Sequence, residues 1–125
     1  MNAVTLDAGA LIAFERGDRA MLALLVVARR ESMRIVVPTV VVAQVWRDGK
    51  KQARLARFLA ADGVEVETLT DQRARAAGQL CGLSGTRDIV YAAIVLCAKG
   101  RGGRVITSDP DDLVRLDSSL HIIRI

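Results

Sequence analysis

"RIVVPTVVVAQVW", residues 34–46, decides the fold, because it admits two readings. By propensity alone, residues 35–42 form one long strand, since β-branched side chains are stiff at χ1 and favour extended chain. Pro38-Thr39 divides the run: proline removes a ladder donor, and threonine offers a helix cap. The segment therefore reads as a strand, Arg34–Val37, followed by a Val-rich helix that Thr39 caps and that runs through Val45-Trp46.

The same alternation extends in both directions. Val4–Asp7 is a short apolar strand leading through Ala8-Gly9-Ala10 into a helix to about Glu15. Gly17-Asp18 breaks the chain before a helix from Arg19 to about Ser32. Asp48-Gly49 separates the Val-rich helix from Lys51–Ala61, where Leu55, Phe58 and Leu59 keep a helical period. Val64–Leu69 reads as a strand, then Thr70 or Asp71 starts a helix to about Leu83, and Asp88–Lys99 forms another. "GRGG" (100–103) turns into the strand Arg104–Thr107, Pro110–Leu116 is a short helix, and Leu120–Ile125 closes as a strand. Nearly all-apolar strands separated by helices predict an α/β/α fold: one domain over 1–125, with a mainly parallel central sheet of about five strands covered by helices.

Composition bounds the function. Aromatics make up 3% of the chain, which argues against a surface that stacks bases on exposed rings, whereas the net charge of +4 permits a nucleic-acid partner. Cys81 and Cys97 lack metal-ligand spacing and read as small core residues in a reducing compartment. No secretory signal is visible, and the apolar run at Ala20–Ala28 is short of the ~20 residues that span a bilayer, so the expectation is a cytoplasmic protein with no membrane partner.

Ligands of parallel sheets gather at the carboxyl ends of the strands. Asp7 ends the first strand, Asp109 lies two residues beyond Arg104–Thr107, and Asp88 opens a helix expected on the same edge. Each has a plainer reading as a helix cap, Asp109-Pro110-Asp111-Asp112 most of all. Together, three like charges in a small volume either keep a raised pKa or hold a hard cation, Mg²⁺ or Mn²⁺. The lone histidine, His121, reads as a strand-face residue, so zinc is disfavoured. Carboxylates and a metal without a nucleophile–base pair suit phosphodiester hydrolysis by metal-activated water. Ser108 and Thr107 offer hydroxyls that hold a water or orient Asp109. Arg47, Lys50, Lys51, Arg54 and Arg57 recur at spacings of three and four on one face of 47–58, a candidate surface for a phosphate backbone or simply a solvated helix face. Arg87 and Arg104 are weaker phosphate candidates. Trp46, with Val41, Val42 and Val45, is either core or part of a subunit contact.

With "VTLDAGALIAF" (4–14), "VPTVVVAQVWRDG" (37–49), "SGTRDIVYAAIVLCA" (84–98) and "VITSDPDDLVRL" (105–116) in this order, the chain resembles a PIN domain, specifically the VapC-like ribonuclease toxins of toxin–antitoxin pairs. The resemblance implies an acidic pocket for Mg²⁺ or Mn²⁺, metal-dependent cleavage of RNA, a homodimer and a cognate antitoxin partner. Asp7 looks like the family's first acid and Asp109 its last, with Asp112 a possible helper one turn on. Two positions depart from the pattern: Gln44 stands where an acid is common, and Tyr91 replaces the acid of a "DA" pair, with Asp88 one turn earlier. Glutamine brings an amide oxygen without charge, and a phenol of ordinary pKa ≈ 10 is neutral at pH 7. Tyr91 is placed to cover the pocket, donate to Asp88 or contact RNA. Two functions follow: a metal-dependent endoribonuclease toxin, or a degenerate PIN-like module that binds RNA or an antitoxin without cutting. A phosphoryl-handling receiver-like domain is weaker, because no glycine-rich loop follows a first strand.

Overall fold

The computed structural model describes residues 2–125. In chain order the elements are β1 (Ala3–Leu6), α1 (Ala8–Glu15), α2 (Arg19–Arg30), β2 (Arg34–Pro38), α3 (Thr39–Val45), α4 (Ala53–Leu59), β3 (Val64–Glu67), α5 (Asp71–Ser84), α6 (Ile89–Lys99), β4 (Arg104–Thr107), α7 (Pro110–Leu116) and β5 (His121–Arg124). The strands pair in the order β3-β2-β1-β4-β5, and every pairing is parallel. The α/β/α expectation holds.

Parallel strands need crossovers, and helices supply them on both faces, which is why β1 is buried along its whole length. Val4, Leu6, Ala10, Leu11, Ile94, Val95, Val105 and Ile106 share one core, and α6 buries six of its residues between the sheet and α5. Each fully buried Leu or Ile contributes about 1.5–3 kcal/mol here. Cys81 and Cys97 are free, buried thiols, and burial pushes Cys97 up to about 12, where it stays protonated and inert. His121 is an exposed strand residue. Among the described residues, no single helix is long and apolar enough to cross a membrane.

Pro38 does break the Val-rich run, but Thr39 is not its cap. It is the first helical residue, and its hydroxyl accepts the N–H of Leu69 at 3.1 Å. That bond turns the chain after Glu67, so β3 is two residues shorter than the alternation predicts. The expected helical face over 47–58 is also overturned. Helix α3 stops at Val45 and α4 begins at Ala53, because the Gln52 side chain organises a turn between them. Its amide oxygen accepts the N–H groups of Arg47 (2.7 Å) and Asp48 (3.0 Å), while its amide nitrogen donates to the Val45 carbonyl at 3.0 Å. A glutamine thus satisfies the helix end that the pattern extended.

Candidate functional site

β1 and β4 are neighbours in the sheet, so the residues that follow them emerge side by side at its carboxyl edge. Asp7 follows β1 and caps α1, accepting the N–H of Ala10 on Oδ1 at 2.8 Å. Its Oδ2 accepts the hydroxyl of Thr107, the last residue of β4. The same Thr107 oxygen accepts the N–H of Asp109 at 2.8 Å, so one buried hydroxyl ties the two acidic segments together. Asp7 is only 2% exposed, and burial raises its carboxyl above the ordinary range. The hydrogen bonds from Thr107 and Ala10 oppose that rise, and the charge of Asp109 adds to it.

Asp88 caps α6, accepting the N–H of Tyr91 on Oδ1 at 3.0 Å. Asp109 precedes α7 but makes no side-chain cap there, although its neighbour Pro110 suits a first helical position. Its carboxylate instead accepts the phenol of Tyr91 on Oδ2 at 2.9 Å. Side chains near a helix start lean toward the N-terminus, and this carries the ring of Tyr91 from the first turn of α6 across to Asp109. Burial, the bond to Asp109 and the negative charges of Asp109, Asp112 and Asp88 all hold the phenol proton on.

These groups line one cleft of about 120 Å³, together with Gly9, Gln44, Val90 and Ile94. Ligand pockets for drug-sized molecules run to about 300–1,000 Å³, so this cleft has room only for something much smaller. The structure brings Asp7, Asp88, Asp109, Gln44 and Tyr91 to the cleft and leaves other expected residues outside it. Asp112 does not line it, though its charge reaches Tyr91. Ser108 is exposed and sits over Gly9, where a Cβ would meet its Oγ at 1.9 Å, and it lines the adjoining groove with Arg16. Arg47 folds back to donate to the carbonyls of Ala43 (3.2 Å) and Trp46 (2.7 Å). Lys50 and Lys51 lie on the turn before α4, and Arg54 stands over the Phe14 ring at 4.9 Å. Arg104 begins β4 at the other edge of the sheet and donates to Asn2 at 3.1 Å, which removes it from the phosphate candidates.

Thr107 is the residue that sequence reading underrated. It was legible as a hydroxyl able to orient Asp109, but its donation to Asp7 depends on β4 lying beside β1, which only the sheet order reveals.

A hard divalent cation asks for about six oxygens, with charge to balance its own. Here both oxygens of Asp7 accept hydrogen bonds, one oxygen of Asp109 is held by a phenol, and Gln44 and Tyr91 add no charge. Among the described residues, no three His, Cys, Asp or Glu side chains stand together closely enough to hold a metal. In this arrangement the donor set does not fit Mg²⁺ or Mn²⁺.

The sequence matches the PIN domain family over residues 4–118. Among solved structures, the fold is similar to a chain in VapBC2 from Rickettsia felis bound to a DNA fragment from its promoter, with a TM-score of 0.75, 14% identity and 98% of each chain covered. At that identity the likeness is one of fold. None of the curated proteins matches the chain.

Proposed function

The chain belongs to the PIN domain family, and on that premise we propose that it is the toxin-type subunit of a toxin–antitoxin pair, acting as a module that binds RNA and a cognate antitoxin without cutting. The observation that carries this reading is the Tyr91 hydroxyl lodged on Asp109 in a cleft whose other departure from an acidic set is neutral Gln44.

Support for a protein partner comes from the surface. A groove of about 250 Å³ lies between α2, α4 and the β2–β3 edge, lined by Phe14, Leu22, Leu25, Val26, Met33 and Phe58. Val26 and Val27 on α2 are about half exposed, a patch suited to the apolar face of a bound helix. The similar fold occurs in VapBC2, which is the precedent for an antitoxin partner here. Support for RNA comes from the +4 charge and from the exposed Arg47, Lys50, Lys51, Arg54 and Arg57, the first three on the turn before α4 and the last two on α4 itself, although the five do not form one helical face. A homodimer in solution completes the proposal.

A second reading, the Mg²⁺- or Mn²⁺-dependent endoribonuclease, keeps one observation in its favour. Asp7, Asp88 and Asp109 line a single cleft, and the charge of Asp109 raises Asp7. Incubating the purified chain with structured RNA, with and without 5 mM Mn²⁺ (an amount of the order that fills weak carboxylate sites), separates the two. Salt-sensitive retention of uncut RNA is the expected result. Cleavage that disappears with Asp7→Asn and with chelator would replace the binding module by the nuclease.

A further inference from the structure

The disagreement between the cleft and a divalent cation has one identifiable cause. We propose that Tyr91 is the group that excludes the cation, its phenol competing directly for the Asp109 oxygen that an ion would need. The proposal rests on the identification of this cleft as the PIN pocket, and deepens it by naming what decides the occupant.

The geometry assigns Tyr91 two contacts at once. Its backbone N–H is capped by Asp88 at 3.0 Å, and its hydroxyl reaches Asp109 at 2.9 Å, so one residue touches two of the three carboxylates. The first contact belongs to helix start α6 and would exist with any residue at 91 other than proline. Only the second depends on the phenol. A hydrogen bond from a neutral donor to a carboxylate is among the stronger ones, and this one takes up an acceptor site on a residue that lines the cleft. Val90 and Ile94 line the same wall, so the ring is packed beside apolar groups that disfavour its replacement by water. A cation that takes Asp109 through Oδ2 competes with that bond. Gln44 contributes less: its side chain is exposed, and an amide oxygen remains available to an ion at the cost of charge alone.

Mn²⁺ titration of the full chain tests this, followed by calorimetry and by the absorbance of the only tyrosine in the protein. Tyr91→Phe keeps the ring and the packing while removing the donor, and it is expected to bind Mn²⁺ about tenfold more tightly than the wild type. Adding Asp109→Asn to that variant is expected to erase the gain. In the wild type, any Mn²⁺ that does bind at high concentration is expected to perturb the tyrosine spectrum. Equal or weaker Mn²⁺ binding by Tyr91→Phe overturns the proposal, as does a wild-type chain that binds Mn²⁺ with an unchanged tyrosine signal. Thermal unfolding of both variants shows that the fold is intact, and Tyr91→Leu, which also lacks the donor, must follow Tyr91→Phe. RNA retention measured on the same samples reports on the module separately: its loss with the Mn²⁺ result intact sinks the binding function and leaves the role of Tyr91 standing.

Discussion

On β3, Glu65 and Glu67 both face the guanidinium of Arg101, which pairs with Glu65 through two nitrogens and reaches Glu67 at 3.3 Å, while Arg34 adds a second pair to Glu65 at 3.2 Å. At the cleft, Asp7 and Asp109 also face each other, but among the described residues no Lys or Arg pairs with either. Their oxygens are held by hydroxyls and backbone N–H groups alone. The pKa directions follow: Arg101 beside Glu65 holds its carboxyl below the ordinary 4.5, whereas burial lifts Asp7 above the ordinary 3.8. Carboxylates matched to cations contribute to stability, and carboxylates left with neutral donors keep their charge for something else at a cost in stability. The first group fastens the edge strand, and the second is where a ligand would act.

Four variants sharpen or break that contrast. Thr107→Val is expected to have the largest effect, a loss of about 3 kcal/mol, because it strips a buried carboxylate oxygen and a backbone N–H of their partner together. Urea denaturation measures it, and a loss near zero would mean the hydroxyl does not bind the two segments together. Arg101→Leu is expected to cost about 1.5 kcal/mol, since it leaves two partly buried glutamates side by side with Arg34 as the one remaining cation, on Glu65.

Asp7→Asn is expected to act in the opposite sense, raising stability by about 1 kcal/mol at pH 7 by removing a desolvated charge. The pH dependence is distinctive. The raised carboxyl of Asp7 contributes stability that is fully present below its ordinary 3.8 and is lost as the pH rises through its folded value, so the advantage of Asn shrinks as the pH falls. Glu65→Gln is expected to be the smallest and to run the other way, costing about 0.5 kcal/mol at pH 7. That cost fades as the pH falls through the lowered folded value of Glu65, below 4.5. Denaturation curves from about pH 2 to 8 for the two variants should therefore depart from the wild type in opposite directions as the pH rises, and departures of the same sign would remove the distinction between the clusters.

The fold was legible because strand and helix periods are local, and Pro38 marked the one ambiguous boundary correctly. The gathering of Asp7, Asp88 and Asp109 followed from the rule for parallel sheets. What sequence missed depended on side chains that cross between elements. Gln52 stops α3 and spoils the basic face by bonding three backbone groups around the turn. Tyr91 donates its hydroxyl to Asp109, not Asp88, whose Oδ1 instead accepts the backbone N–H of Tyr91. Asp109, the best cap by pattern, caps nothing. Spacing reports which residues can cap; it does not report which of several acceptors a hydroxyl reaches once helices pack.

Asp7 and Thr107 are separated by 100 positions along the chain, yet a single hydroxyl joins them. During synthesis, β1 can pair with β2 as soon as residue 38 is free of the ribosome, while its other edge waits for β4 to emerge. The cleft consequently has no second wall, and Asp109 no place beside Asp7, until β4 has been made. A nascent chain therefore carries the first acid without the site to which it belongs until the fourth strand and Asp109 have been added, so whatever this pocket binds meets it only after β4 has paired with β1.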